Sequence, residues 1–346
     1  MRLLVISREF PPYVIGGISY HLKYLYEELA QRGHKITVLA GRCRSVSANE
    51  FVSTSDDISI EWVPYFSSTG HHIQFPLALK RFIRDFPISN YDVALTHTEI
   101  PYNLEIPVIE KIHDSKQEER KYMRRNMSFS TRVLDSLVNP TRRWIESRSI
   151  NFANYLIFNS ELTRKKWENN YNIDTPSEII YNGVDLKKFH VKRDIEIEDK
   201  HLLFVGDTER KGITRIKQLA KISPYPIYVA GNSDLSVQNT RYLGRLSQEE
   251  LVVQYNSAYA TIHPAGFEAF GNVILESLAC GTPVIVSNQC GASEIIDSSC
   301  GVVTTDFLSG IKRVRKTDPN QCRKLAEEFS WTNVASHTER IISNVI

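Results

Sequence analysis

Glu268 and Glu276 stand eight positions apart in the run Pro264-Ala265-Gly266-Phe267-Glu268-Ala269-Phe270-Gly271-Asn272-Val273-Ile274-Leu275-Glu276-Ser277-Leu278-Ala279-Cys280-Gly281-Thr282-Pro283-Val284. The first lies in a loop, and the second sits about one turn inside a helix that begins near Gly271. Carboxylates accept hydrogen bonds from hydroxyls. The unpaired N–H groups of Phe270 to Val273, at the positive end of that helix, would suit a phosphate or another oxygen-rich ligand. Gly271 has no Cβ to keep a ligand away. Taken alone, either glutamate is equally well explained as a helix-start carboxylate or an exposed helical residue.

Three further groups of residues have usable chemistry. Gly16-Gly17 follows a short apolar strand and precedes a helix, so its backbone amides can meet an anion. His113 ends an apolar run, and an imidazole there can donate or accept a hydrogen bond with a pKa near working pH. Arg210 and Lys211 are adjacent cations before Gly212.

These residues are positioned by alternating strands and helices. Leu3–Ile6 reads as a strand, Leu22, Leu25 and Leu29 recur at helical spacing, Gly33 suits a helix C-cap, and residues 35–39 read as the next strand. That is one βαβ unit. Residues 91–96, 108–113 and 155–159 continue as buried parallel strands, and a second alternation runs through 202–206, 227–231, 260–263 and 283–286. A chain of 346 residues exceeds one ordinary core, so two domains are expected. The charged stretch Val191–Lys200 reads as the linker between them.

Composition narrows the function. A formal charge of +2 is too mild for a nucleic-acid partner. Cys43, Cys280, Cys290, Cys300 and Cys322 are odd in number and lack metal-ligand spacing, which argues against a disulfide framework or a structural metal and predicts a cytoplasmic setting. The opening apolar run is too short for a signal peptide, and no stretch reaches the ~18–20 apolar residues of a membrane span.

The 264–284 run resembles the signature of family 4 retaining GT-B glycosyltransferases, and the resemblance extends along nearly the whole chain. Gly16-Gly17 with the helix after it looks like the family's N-terminal glycine loop, Ile112-His113-Asp114 like its His-Asp pair, and Tyr181-Asn182-Gly183-Val184-Asp185 like the segment closing the first domain. Phe329-Ser330-Trp331 and the helical tail match as well. The resemblance implies two Rossmann-like α/β domains facing a central cleft. They span 1–190 and 191–329, with a final helix, about 330–346, crossing back to the first. It implies a metal-independent transfer of a hexose-type sugar from a nucleotide-sugar donor to a glycan or lipid-linked acceptor, with no cofactor.

By the same resemblance, His113, Glu268 and Lys211 carry the catalytic roles. His113 lies beside the transferred sugar, Glu268 binds a donor-sugar hydroxyl, and Lys211 stabilises the diphosphate leaving group. Glu276 binds the ribose, and Gly16, Gly17, Arg210, Phe270, Gly271, Asn272 and Val273 complete the donor site. The chain departs from the pattern once, with Asp207 where relatives have an arginine, and Arg210 is the candidate replacement. A non-catalytic nucleotide-sugar-binding protein, or a sugar epimerase or phosphorylase on the same fold, is the alternative.

One stretch lies outside that pattern. Between residues 116 and 148, Lys116, Arg120, Lys121, Arg124, Arg125, Arg132, Arg142, Arg143 and Arg148 oppose only Glu118, Glu119, Asp135 and Glu146, with Tyr122, Met123, Met127, Phe129, Leu134, Leu137 and Trp144 interleaved. That composition suits either a solvated helical face or peripheral contact with an anionic membrane.

Overall fold

A computed structural model describes residues 1–13, 17–44, 55–66, 70–192, 200–232, 235–314 and 318–346. Gly16 and most of the charged stretch before Lys200 therefore lie outside the described residues. The chain begins with β1 (Arg2–Ser7), α1 (Gly17–Gln31), β2 (Lys35–Cys43), β3 (Ile58–Tyr65), α2 (His71–Phe82), β4 (Val93–Thr96) and β5 (Val108–Ile112). There follow α3 (Lys116–Met123), α4 (Phe129–Phe152), β6 (Tyr155–Phe158), α5 (Glu161–Glu168) and β7 (Ser177–Ile179). The second series is β8 (Leu202–Val205), α6 (Ile213–Ala220), β9 (Ile227–Ala230), β10 (Thr240–Gly244), α7 (Gln248–Ser257), β11 (Ala260–His263), α8 (Asn272–Ala279), β12 (Val284–Val286) and β13 (Gly301–Val303). Helices α9 (Phe307–Arg313), α10 (Pro319–Glu327) and α11 (Trp331–Val345) end the chain.

The strands form two parallel sheets, ordered β3-β2-β1-β4-β5-β6-β7 and β10-β9-β8-β11-β12-β13. Their inner strands are apolar on both faces because helices cover both. In β1, Leu3 to Ile6 are fully buried. Both sheets reverse direction of growth beside their first strand, and ligands of such sheets bind at the carboxyl ends of the strands near that point. Gly33 (φ 87°) ends α1 in the left-handed region, where a Cβ is disfavoured.

The final helix returns to the first sheet. Val334, Ile341 and Ile342 of α11 pack into the same core as Leu22, Leu25 and Leu29 of α1. The Trp331 indole lies where a Cβ on Gly183 would stand, 2.6 Å away, so that position admits no larger side chain without displacing the ring. The Asn-Gly turn is thus an anchor for the returning helix. The chain has the GT-B architecture, two Rossmann-like α/β units with a cleft between them.

The two halves also touch beside the cleft. Ser160 Oγ donates to the Ala269 carbonyl (2.6 Å), and the Glu161 and Leu162 amides donate to Glu294 (2.9 and 2.7 Å). Asn182 Nδ2 donates to Asn272 Oδ1 at 2.9 Å, tying the end of the first half to the start of α8.

Candidate active site

The carboxyl ends of the inner strands of both sheets open onto one cavity of about 350 Å³, and Gly17, His113, Arg210, Lys211, Glu268 and Glu276 all line it. Its floor on the second half is built by the turn before α8. Gly271 caps that helix at φ 98°, a conformation that L side chains rarely adopt, and a Cβ there would stand 2.8 Å from Cys290 Sγ. The turn thereby sets the first residues of α8 along the cavity, an arrangement suited to an anion. Phe270 is buried with its ring in the core beneath, and it lines the cavity together with Asn272 and Val273.

Glu268 is held between cations. Arg210 Nη1 donates to Glu268 Oε1 at 3.0 Å and to the Phe267 carbonyl at 3.3 Å, while Arg210 Nε lies 3.6 Å from Glu119 Oε1. Burial alone would raise the carboxyl pKa, yet the Arg210 and Lys211 charges beside it hold Glu268 well below the usual carboxylate range. Its second oxygen, Oε2, is buried without a hydrogen-bond partner, and His263 Nε2 is 3.7 Å away, beyond hydrogen-bonding distance. Burying a carboxylate oxygen without a partner is costly, and a ligand donor in the cavity offsets that cost.

Glu276 differs. The Tyr255 hydroxyl donates to its Oε2 at 2.8 Å, and burial, opposed by that bond and by Lys211, pushes its pKa up. It lines both the central cavity and a second one of about 500 Å³ reaching Arg245, Gln248 and Trp331. A third cavity, of about 690 Å³, joins at Arg210 and Glu119 and is faced by Tyr122, Met123, Met127, Ile213 and Leu235. The three cavities form a line, with Glu276 at one junction and Arg210 at the other.

The departure at Asp207 has a structural account. Its carboxylate accepts from the Asn232 amide (3.3 Å) and side chain (3.1 Å), joining the ends of β8 and β9. Arg210 instead projects into the cleft. Lys211 folds over Gly206, where a Cβ would meet its Cδ at 2.9 Å, so the glycine makes room for the lysine stem.

His113 lies at the end of β5, its carbonyl accepting from Asn159 Nδ2 at 2.7 Å. Its Nε2 faces His97 Nδ1 at 2.8 Å, and Asp114 pairs with Lys116. Burial first, then the Lys111 and Lys116 charges, keep the His113 imidazole well below its ordinary pKa, hence neutral. Sequence reasoning did not single out His21, His97, Glu119, Tyr255 or His263. Only His263 carried a usable signal, standing at a strand end one residue before the 264–284 run.

The stretch 116–148 folds as α3, a short 3-10 turn and most of α4. Many of its cations are engaged: Arg120 (2.6 Å), Arg124 (2.8 Å) and Arg142 (3.6 Å) converge on Asp135, and Arg125 and Arg148 lie over aromatic rings. Several of its apolar side chains face solvent. Phe129 is 84 % exposed, Leu137 72 % and Leu134 61 %. No helix among the described residues is long and apolar enough to cross a membrane.

Comparison with known proteins agrees with this architecture. Residues 15–188 match the model described as Glycosyltransferase Family 4, and residues 187–308 match Glycosyl transferases group 1. The chain is 25 % identical to a glycogen synthase of Mycobacterium tuberculosis, covering 82 % of this chain and 77 % of that one. It is also 25 % identical to an uncharacterised glycosyltransferase of Methanocaldococcus jannaschii, covering 99 % and 97 %. Sucrose-phosphate synthase from Thermosynechococcus elongatus has a similar fold, with a TM-score of 0.79 at 18 % identity over 99 % of this chain and 98 % of that one. The structure of Anabaena HepE in complex with UDP-glucose is similar as well, with a TM-score of 0.71 at 14 % identity over 99 % and 100 %. Matched along both halves, with the fold those matches require, this chain belongs to glycosyltransferase family 4.

Proposed function

We propose that this glycosyltransferase transfers a hexose-type sugar, with retention of anomeric configuration, from a nucleotide-sugar donor to a lipid-linked or glycan acceptor, without a divalent cation. The observation that carries the reading is Glu268. A buried carboxylate held ionised by Arg210 and Lys211, with one oxygen lacking a hydrogen bond, is an acceptor prepared for hydroxyl groups. The diphosphate fits beside it, over the N-terminus of α8 and within reach of Lys211. The nucleoside fits the cavity beyond Glu276, whose carboxylate accepts from the ribose. A neighbour of this fold has been solved with UDP-glucose, which supports a donor of that class here.

Chemistry at this site is positioning and charge stabilisation. As the bond from the anomeric carbon to the diphosphate breaks, negative charge grows on the leaving oxygen. The Lys211 ammonium and the α8 amides oppose that charge without reorganising. Those fixed donors supply the positive charge that a metal ion otherwise provides. The neutral His113 faces the sugar from the other wall. The cavity lined by Tyr122, Met123 and Met127 opens at Arg210, on the side away from the nucleoside, and suits an acceptor with an apolar portion.

Two measurements test this. Transfer should proceed undiminished in EDTA, and Lys211→Ala should lower turnover in parallel with donor affinity. Activity abolished by chelation and restored by magnesium or manganese would overturn the charge assignment.

A further inference from the structure

Three histidines from separate parts of the sequence meet at the carboxyl edge of the first sheet. His97 follows β4, His113 follows the neighbouring β5, and His21 lies in α1, which rises from the end of β1. A nitrogen of each lies within 4.8 Å of a nitrogen of the others, a span that small ring rotations close around one ion. The His21 and His113 rings are edge to face with centroids 4.8 Å apart.

Two observations point to a ligand. His21 is 2 % exposed, and neither of its ring nitrogens has a hydrogen-bond partner. An imidazole always carries at least one N–H or lone pair in need of a partner, and leaving one orphaned in burial costs ~1–3 kcal/mol. The second observation is the Tyr26 hydroxyl, also buried, 2.5 Å from His97 Nε2. It fixes that ring so that Nδ1 points at the other two histidines, as an outer partner orients a metal ligand.

We propose that His21, His97 and His113 bind a borderline divalent transition ion, zinc foremost, and that occupancy inhibits transfer. Three imidazoles without a carboxylate select zinc, copper or nickel over magnesium or calcium. Binding replaces the hydrogen bond between His97 Nδ1 and His113 Nε2: the proton between them is released and His97 carries its N–H at Nε2, donating to the Tyr26 oxygen, so that both facing lone pairs go to the ion and the His113 ring is pinned away from the donor sugar. The charges facing the site oppose a cation: Lys111, whose Nζ donates to the Ile180 carbonyl at 3.3 Å, and more distantly Lys116 and Arg8. They set affinity below that of a carboxylate-supported site, which suits reversible inhibition over permanent residence.

Ion binding is independent of the proposed reaction, whereas inhibition rests on it, so the two are read separately. Purified protein, stripped with chelator, is titrated with cobalt(II) and the visible d–d band of a low-coordinate nitrogen site is followed. The expected result is one ion per chain, displaced by zinc but not by magnesium, with the band lost in His97→Gln and affinity lowered roughly 10–100-fold in Tyr26→Phe. Should His97→Gln unfold, His21→Asn provides the same loss of a ligand. Absence of the band, or an undiminished band in the folded histidine variants, which would place the ion on the buried thiols, overturns the site. Zinc that binds wild type yet leaves turnover unchanged overturns the inhibition.

Discussion

Replacing Glu276 separates ligand recognition from folding. In wild type, Oε2 accepts from the fully buried Tyr255 hydroxyl, and in the proposed binding mode the other carboxylate oxygen meets a ribose hydroxyl from the cleft. Charge-assisted hydrogen bonds contribute ~1.5–3 kcal/mol each, so Glu276→Ala should weaken donor binding about 10- to 150-fold. It also leaves the Tyr255 hydroxyl without a partner, a penalty of ~1–3 kcal/mol, offset in part because a buried carboxylate is removed. Glu276→Gln keeps an acceptor for Tyr255 and the shape of the side chain. It should unfold like wild type, yet lose part of the affinity, because neutral hydrogen bonds are about half as strong. Calorimetric titration with the preferred nucleotide sugar, beside urea unfolding of both variants, measures the two effects. A folded Glu276→Ala that binds donor as tightly as wild type refutes the assignment.

Burial first, opposed by Tyr255 and Lys211, raises the Glu276 pKa, so donor affinity should fall on acidification above the ordinary ~4.3. Glu268, held low by its cations, stays ionised there, and Glu276→Gln should flatten this acid limb in affinity measured across pH. Glu110 in β5 is buried and its pKa pushed up to about 8, so folding keeps it protonated where the unfolded chain ionises. Its stability contribution is present below ~4.3 and is lost as pH rises through about 8. Glu110→Gln, which retains an acceptor for the Ser149 hydroxyl, should remove that alkaline loss in denaturant titrations at several pH values. The exposed Phe129, Leu134 and Leu137 should bind anionic liposomes, with salt weakening but not abolishing attachment, since several arginines are already paired. Changing the three apolar residues to Ser should abolish cosedimentation, and attachment that survives those changes would return α4 to a solvated face.

The two-sheet architecture was legible because inner parallel strands are apolar on both faces, as in β1 and β11. Edge strands were not legible. β3, with the sequence Ile58–Tyr65, alternates buried and partly exposed residues, and β10 begins in Thr240-Arg241, because an edge strand packs on fewer neighbours and tolerates polar residues. The turn around Gly271 was visible because it is local, with all of its chemistry within nine residues of Glu268. The histidine cluster was not visible, since His21, His97 and His113 meet only through the order of β1, β4 and β5. Nor does sequence spacing show that Asp207 serves Asn232, a contact made between the ends of two strands.

The central claim is that the cleft between the two sheets holds a nucleotide sugar and breaks its anomeric bond. The most direct measurement incubates the purified chain, in EDTA, with UDP-, GDP- and ADP-sugars in turn and follows each donor by proton NMR. The account predicts slow cleavage of the sugars of one nucleotide, releasing first the anomer that the donor carried, and loss of that cleavage in Glu268→Gln. Failure of every donor to bind or react, or release of the opposite anomer, would contradict it.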